Sequence, residues 1–143
     1  MPDENAPRAV IEILMQAARV RRAVEAELRQ HRISFALWWV LYVTDSLVRD
    51  SQDAVSQQAI ALATELSRST VSYLMSALSA RALVSRGPDG LDYGYRIFTT
   101  AQGRAMVEAT QSALARGLQR ARAMPRDPSC ALAYCLARLR VDE

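Results

Sequence analysis

Hydrophobic residues recur at helical spacing along most of this chain and change to a different rhythm in one short stretch. From Arg8 onward, Val10, Leu14, Ala17, Val20, Val24 and Leu28 share one stripe, with Arg19, Arg22, Glu25 and Arg29 between them. The spacing predicts one long amphipathic helix that starts after Pro7, a residue suited to a first helical turn, and ends near Gln30 or His31. A helix with such a stripe needs a cover, from elsewhere in the chain or from a second subunit. Ile33 to Leu47 predicts a second helix with Ser34 as its N-cap. Phe35, Leu37, Trp38, Trp39, Val40, Leu41 and Val43 make it apolar on nearly every side, so burial on more than one face is expected. Val48 to Ala54 is polar and reads as a loop.

The next stretch holds two short helices. Ser56 is placed to cap the first, with Ile60, Ala61 and Leu62 expected to face inward, and Thr64-Glu65-Leu66 reads as a turn. Ser67 is placed to cap the second. Its Val71, Leu74, Met75 and Leu78 fall at i, i+3, i+4 and i+7, while Arg68, Ser69, Ser72, Tyr73 and Ser76 occupy the other face. After Leu83-Val84 the helical period stops. Gly87-Pro88-Asp89-Gly90 is a turn signal, and Tyr93 to Thr99 is aromatic and β-branched, so the two predict a short hairpin. Thr100 then caps a helix from Ala101 to about Met124. Pro125 and Pro128 break it, and Ser129 caps a last helix carrying Leu132, Cys135, Leu136 and Leu139.

Composition narrows the class. With 143 residues and half of them hydrophobic, the chain is expected to be one domain with its own core. The net charge is +3, and all eighteen basic residues are arginine, the side chain suited to bidentate contacts with phosphate and guanine. A single histidine, with no nucleophile elbow, glycine-rich phosphate loop or metal-ligand spacing, argues against an enzyme and against a bound cofactor or metal. Cys130 and Cys135 are five residues apart, point to different helix faces and read as reduced core residues. The acidic start lacks the apolar run of a signal peptide, and Ala36 to Val43 is too short to span a bilayer, so a cytoplasmic protein is expected.

Two short helices joined by a tight turn, the second apolar on one face and polar and basic on the other, have the layout of a helix-turn-helix that enters the DNA major groove. In that layout Ser67, Ser69 and Thr70 meet phosphates at the positive helix N-terminus, and Arg68, Ser72, Tyr73 and Ser76 reach base edges.

Ser56 to Ser72, the recognition-helix start Ser67 to Ser72, Leu78 to Arg86 and the Thr99-Thr100-Ala-Gln-Gly103 segment together resemble the multiple-antibiotic-resistance regulator (MarR) family in order and spacing. The resemblance implies a mainly α fold with a small β-hairpin wing: a winged helix-turn-helix lobe over 33–103, with dimerisation helices at 8–31 and 104–140. It implies a homodimer on a pseudo-palindromic operator of double-stranded DNA, most simply a repressor relieved by a small aromatic or anionic effector. Ser56 and the hairpin residues Arg86 and Arg96 join the expected DNA contacts. His31, Trp38, Trp39 and Tyr42 are candidates to line an effector pocket, though the same tryptophans suit a core or dimer interface.

Three positions depart from the family pattern. Glu65 and Ala82 replace glycines, with a remodelled cap expected at Ala82, and Gly94 stands where the wing tip carries arginine. A winged helix with so depleted a wing also suits a protein-binding module. The stretch Arg116 to Arg140 holds six arginines and one acid, which suits contact with DNA flanks, pairing with acids of a second subunit, or a solvated basic face.

Overall fold

The computed structural model describes residues 5–88 and 95–123. In chain order it contains α1 (Ala6–Leu28), a 3-10 turn (Arg29–His31), α2 (Phe35–Ser51), β1 (Val55–Ser56), α3 (Gln57–Thr64), α4 (Arg68–Ala80), β2 (Val84–Pro88), β3 (Tyr95–Thr99) and α5 (Ala101–Ala123). The strands form one antiparallel sheet in the order β1-β3-β2. This is the mainly helical fold with a small wing that the sequence predicts. The segment 89–94 with the wing tip, the break at Pro125 and Pro128, the last helix from Ser129, both cysteines and the later part of 104–140 lie outside the described residues.

Local chemistry sets the helix starts. The Oγ atoms of Ser34, Ser56 and Ser67 accept from the backbone N–H groups of Leu37, Ala59 and Thr70 at 3.3, 3.1 and 3.2 Å. Each supplies an acceptor to an N–H that has no partner within its helix. Thr100 does the same for α5, accepting from Gly103 N–H at 3.0 Å, and its hydroxyl donates to Ala82 O at 2.7 Å.

The apolar stripe of α4 meets α2, α3 and the sheet. Leu28, Val40, Leu41, Ile60, Val71, Met75, Leu78 and Ile97 are wholly buried there. Trp38 joins them, and its Nε1–H donates to Thr110 Oγ1 of α5 at 3.2 Å. Further along α5, Gly117 lets the helix lie directly on α1. A Cβ there would stand 3.2 Å from the Cα and N of Val24.

Four features differ from the sequence reading. Helix α2 does not end at Leu47. It continues to Ser51 because Val48 is buried and Arg49 Nε pairs with Asp45 Oδ2 one turn back, at 2.9 Å. Leu62 does not face inward: it is 74% exposed, and Thr64 takes the buried place beside Ile60 and Ala61. Two residues after Ile60, Leu62 is about 200° around the helix. Strand β1 is absent from the reading because two residues carry no legible period. Its pairing of Val55 with Ile97 and Ser56 with Arg96 comes from β3.

The fourth difference concerns α4's C-terminus. The cap is kept, not remodelled: Ala82 sits at φ 57°, with Ala82 N–H on Ser79 O and Leu83 N–H on Leu78 O, both at 3.0 Å. A Cβ in the left-handed region is costly. Ala82→Gly is therefore expected to stabilise the fold by about 0.5–1 kcal/mol in urea unfolding, the relief exceeding glycine's entropy cost. A loss of stability would show that the left-handed conformation is not maintained in solution. Glu65 also takes the left-handed conformation, at φ 58°.

Two carboxylates are buried, each held by two arginines. Glu27 on α1 meets Arg116 Nε at 3.0 Å and Arg120 Nη1 at 2.7 Å, both from α5. Asp45 on α2 meets Arg49 and, at 3.7 Å, Arg104 Nε in the first turn of α5. The start of the basic stretch therefore turns to an acid of its own chain, an outcome the sequence reading did not include. Arg116 and Arg120 thus have a buried partner within their own chain.

Candidate nucleic-acid interface

Helix α4 presents one wholly polar side. Arg68, Ser69, Thr70, Ser72, Tyr73 and Ser76 are all exposed, Tyr73 to 75%. The burial of Val71, Leu74, Met75 and Leu78 forces this orientation, since the remaining positions of a 3.6-residue period must face away. At its N-terminus the Ser67 Oγ lies 3.1 Å from Ser69 Oγ and 2.8 Å from Thr70 Oγ1, so three hydroxyls gather where the helix dipole is positive. That arrangement suits a phosphate oxygen. Arg68 follows the cap directly and supplies a cation beside the hydroxyls. In the next turns Ser76 Oγ donates to Ser72 O at 3.1 Å, which leaves Tyr73 as the largest side chain projecting from this face.

Ser56, half-buried, holds the start of α3. The wing arginines bond to carbonyls of the chain. Arg86 on β2 donates from Nη2 to Ser72 O on α4 at 3.1 Å, and Arg96 on β3 donates from Nη1 to Ala54 O at 2.8 Å. The expected contacts thus divide into an exposed face on α4 and two arginines engaged with the frame that carries it.

Of the aromatic candidates, Trp38, Trp39 and Tyr42 do come together on α2. The Trp38 ring centroid lies 6.2 Å from Trp39 and 5.5 Å from Tyr42. Phe35 extends the group at 5.6 Å from Trp38. Trp38 is buried core, whereas Trp39 and Tyr42 are half-buried, and His31 sits half-buried on the 3-10 turn after α1. A shallow groove unmarked in the sequence runs between α1 and α5, lined by Gln16, Arg19, Val20, Leu118, Ala121 and Arg122. The residues from the two helices are about a hundred positions apart, so no local pattern announces it.

A capped helix pair, an outward polar second helix and a three-stranded sheet packed beside it define a winged helix-turn-helix protein. No protein-family model matches the chain, and no curated protein matches it. Among solved structures, it is similar to a MarR-family transcriptional regulator from Rhodococcus sp. RHA1, with 18% identity, a TM-score of 0.70, and coverage of 97% of this chain and 96% of that one. It is similar to a mutant of E. coli MarR complexed with operator DNA, at 18% identity and TM-score 0.67 over 96% of this chain and 98% of that one. A Mycobacterium tuberculosis MarR-family protein in complex with p-aminosalicylic acid gives 17% identity and TM-score 0.61 over 89% and 94%. The winged-helix fold of the MarR regulators is therefore the fold of this chain.

Proposed function

We propose that the protein is a sequence-specific DNA-binding regulator of transcription that works as a homodimer and most simply represses. The observation that carries this reading is the outer face of α4: a capped N-terminus with clustered hydroxyls, one adjacent arginine, and an exposed tyrosine, on a buried apolar support. In the operator complex of the E. coli neighbour, a protein of this fold is bound to DNA. Ser56, Ser67, Ser69 and Thr70 engage phosphates, and Arg68, Ser72, Tyr73 and Ser76 face base edges in the major groove. Residues 33–103 form the DNA-binding lobe, and 8–31 with 104–140 form the dimer arm. Support for the arm comes from Val10, Ile11, Ile13 and Leu14, apolar residues exposed on one chain. Two lobes would then read half-sites about one helical turn apart.

The same reading includes release by a small aromatic or anionic ligand near Trp39, Tyr42 and His31, where α2 presents partly open aromatic rings. The Mycobacterium tuberculosis neighbour was solved with a small aromatic carboxylate, which fits that chemistry. Trp39→Ala is expected to leave DNA affinity unchanged and to abolish the response to p-aminosalicylic acid in a binding titration. Full response in the variant would remove Trp39 from the pocket. No described helix is long and apolar enough to cross a membrane.

The deciding experiment is recovery of sheared genomic DNA from the source organism on the purified protein at moderate and high salt. Enrichment of a near-palindromic site, lost at high salt, supports a dimeric regulator, because phosphate contacts release counterions and weaken steeply with salt. A folded dimer that enriches no site would refute the reading in favour of a winged helix that serves a protein partner. With the site in hand, Arg68→Ala is expected to weaken specific binding by about 1–3 kcal/mol, the value of one base-reading arginine. Equal affinity and unchanged site preference would exclude that role.

A further inference from the structure

The wing arginine Arg86 is turned toward α4. Along β2, Val84 is buried, Ser85 is exposed and Arg86 is half-buried, so the strand's two-residue alternation places Arg86 on the same side as Val84, toward the helices. Its cross-strand partner, Ile97, is wholly buried. The Nε of Arg86 is shielded from solvent, and its Nη2 donates to the carbonyl of Ser72 at 3.1 Å. Ser72 lies mid-way along α4, on the face that carries Arg68, Tyr73 and Ser76. Its carbonyl also accepts from Ser76 Oγ at 3.1 Å. A guanidinium donating to a helix carbonyl is a charge-assisted hydrogen bond, stronger than a neutral one and rigid in direction.

We propose that Arg86 is a positioning residue for DNA recognition and not a phosphate contact: it braces the wing sheet to the centre of the recognition helix and sets how far the two stand apart. This rests on the reading of α4 as the DNA-contacting helix. Because β2 leads into the wing and α4 into the major groove, the brace holds two probes of one duplex in fixed relation. Arg96, on the neighbouring strand, donates instead to Ala54 O at the entry to β1. Loss of the brace lets the wing and the helix move independently, so binding becomes weaker while the count of phosphates contacted stays the same.

The test compares the full chain with Arg86→Met, which removes donor and charge, and Arg86→Gln, which keeps an amide donor without the charge. Two measurements are made on each: amide hydrogen exchange of the free protein, and binding to a mixed-sequence 30-base-pair duplex across a sodium chloride series. In Arg86→Met, exchange in the centre of α4 and in β2 is expected to rise roughly tenfold, equivalent to one charge-assisted hydrogen bond, with α1 unaffected. Arg86→Gln is expected to restore most of that protection. Arg86→Met binds the duplex several-fold more weakly, Arg86→Gln close to the wild type, and both keep the wild-type slope of log affinity against log salt. A slope lowered by about one in both variants would identify a phosphate contact and overturn the proposal. Unchanged exchange in Arg86→Met would overturn it equally. Should the wild-type chain fail to bind the duplex at all, the DNA reading fails, and the exchange data still decide whether the brace exists.

Discussion

Gly103→Ala is expected to destabilise the protein by about 3 kcal/mol, although alanine is the better helix former. Gly103 lies in the first turn of α5, where the helix starts against the end of α4 and the sheet. A Cβ at this position would stand 2.1 Å from the carbonyl oxygen of Leu83 and 2.8 Å from Cγ2 of Thr99. The Leu83 oxygen cannot move aside cheaply because it accepts from Thr100 N–H at 3.2 Å, and Leu83 N–H is itself bonded to Leu78 O. Relief requires the whole start of α5 to lift from the wing, which also strains the Thr100 hydroxyl bond to Ala82.

Gly117→Ala provides the internal comparison. Its added Cβ meets Val24 at 3.2 Å, tight but not impossible, and alanine's helix propensity offsets about 1 kcal/mol of the strain. The two variants should therefore separate clearly in urea unfolding, with Gly117→Ala near the wild type. A Gly103→Ala protein within 1 kcal/mol of the wild type would mean that the α4–wing–α5 junction is looser than described.

The second large effect is an asymmetry. Removing both arginines from Glu27, as Arg116→Ala with Arg120→Ala, is expected to cost about 3 kcal/mol, whereas Glu27→Gln should cost about 1 kcal/mol. The carboxylate is 1% exposed, while the two arginine side chains are 48% and 62% exposed. Without its arginines the acid is left as a largely buried charge between α1 and α5 that has lost both of its cations. The figure sits at the low end for a broken buried pair because truncating two long side chains also admits some water. Without the acid, by contrast, both guanidinium groups swing into solvent and lose only modest interactions. Unfolding midpoints of the two variants at neutral pH measure the difference. Losses that are equal and below about 1 kcal/mol would show that the pair acts as an ordinary surface ion pair.

The same contrast between near and far explains what could be read from the chain alone. The turn between α3 and α4 and both of its serine caps were legible, since each cap joins residues three apart and the apolar stripe of α4 repeats within its own length. The polar face of α4 followed from that stripe without further input. The end of α2 is not legible locally because Ser51, Gln52 and Asp53 look like a loop, while what extends the helix is the burial of Val48 and the pairing of Arg49 with Asp45. Leu62 points outward because three consecutive apolar residues cannot all face inward on one helix. For the wing arginines the sequence offered only charge and place in the hairpin. Which side of the sheet each faces depends on register, and register is set by pairing with β3.

By itself, then, the sequence determined the order of the elements, the helix starts, the hairpin and the outward face of α4, because caps, turns and amphipathic periods are interactions within a few residues. Only the tertiary structure decided the strand β1, the left-handed Ala82, the inward turn of Arg86 and the clamp of Arg116 and Arg120 on Glu27, the first of these pairs spanning 89 residues. Those features depend on where two helices or strands come to rest against each other, a placement governed by the packing of the whole core, with no counterpart in local spacing.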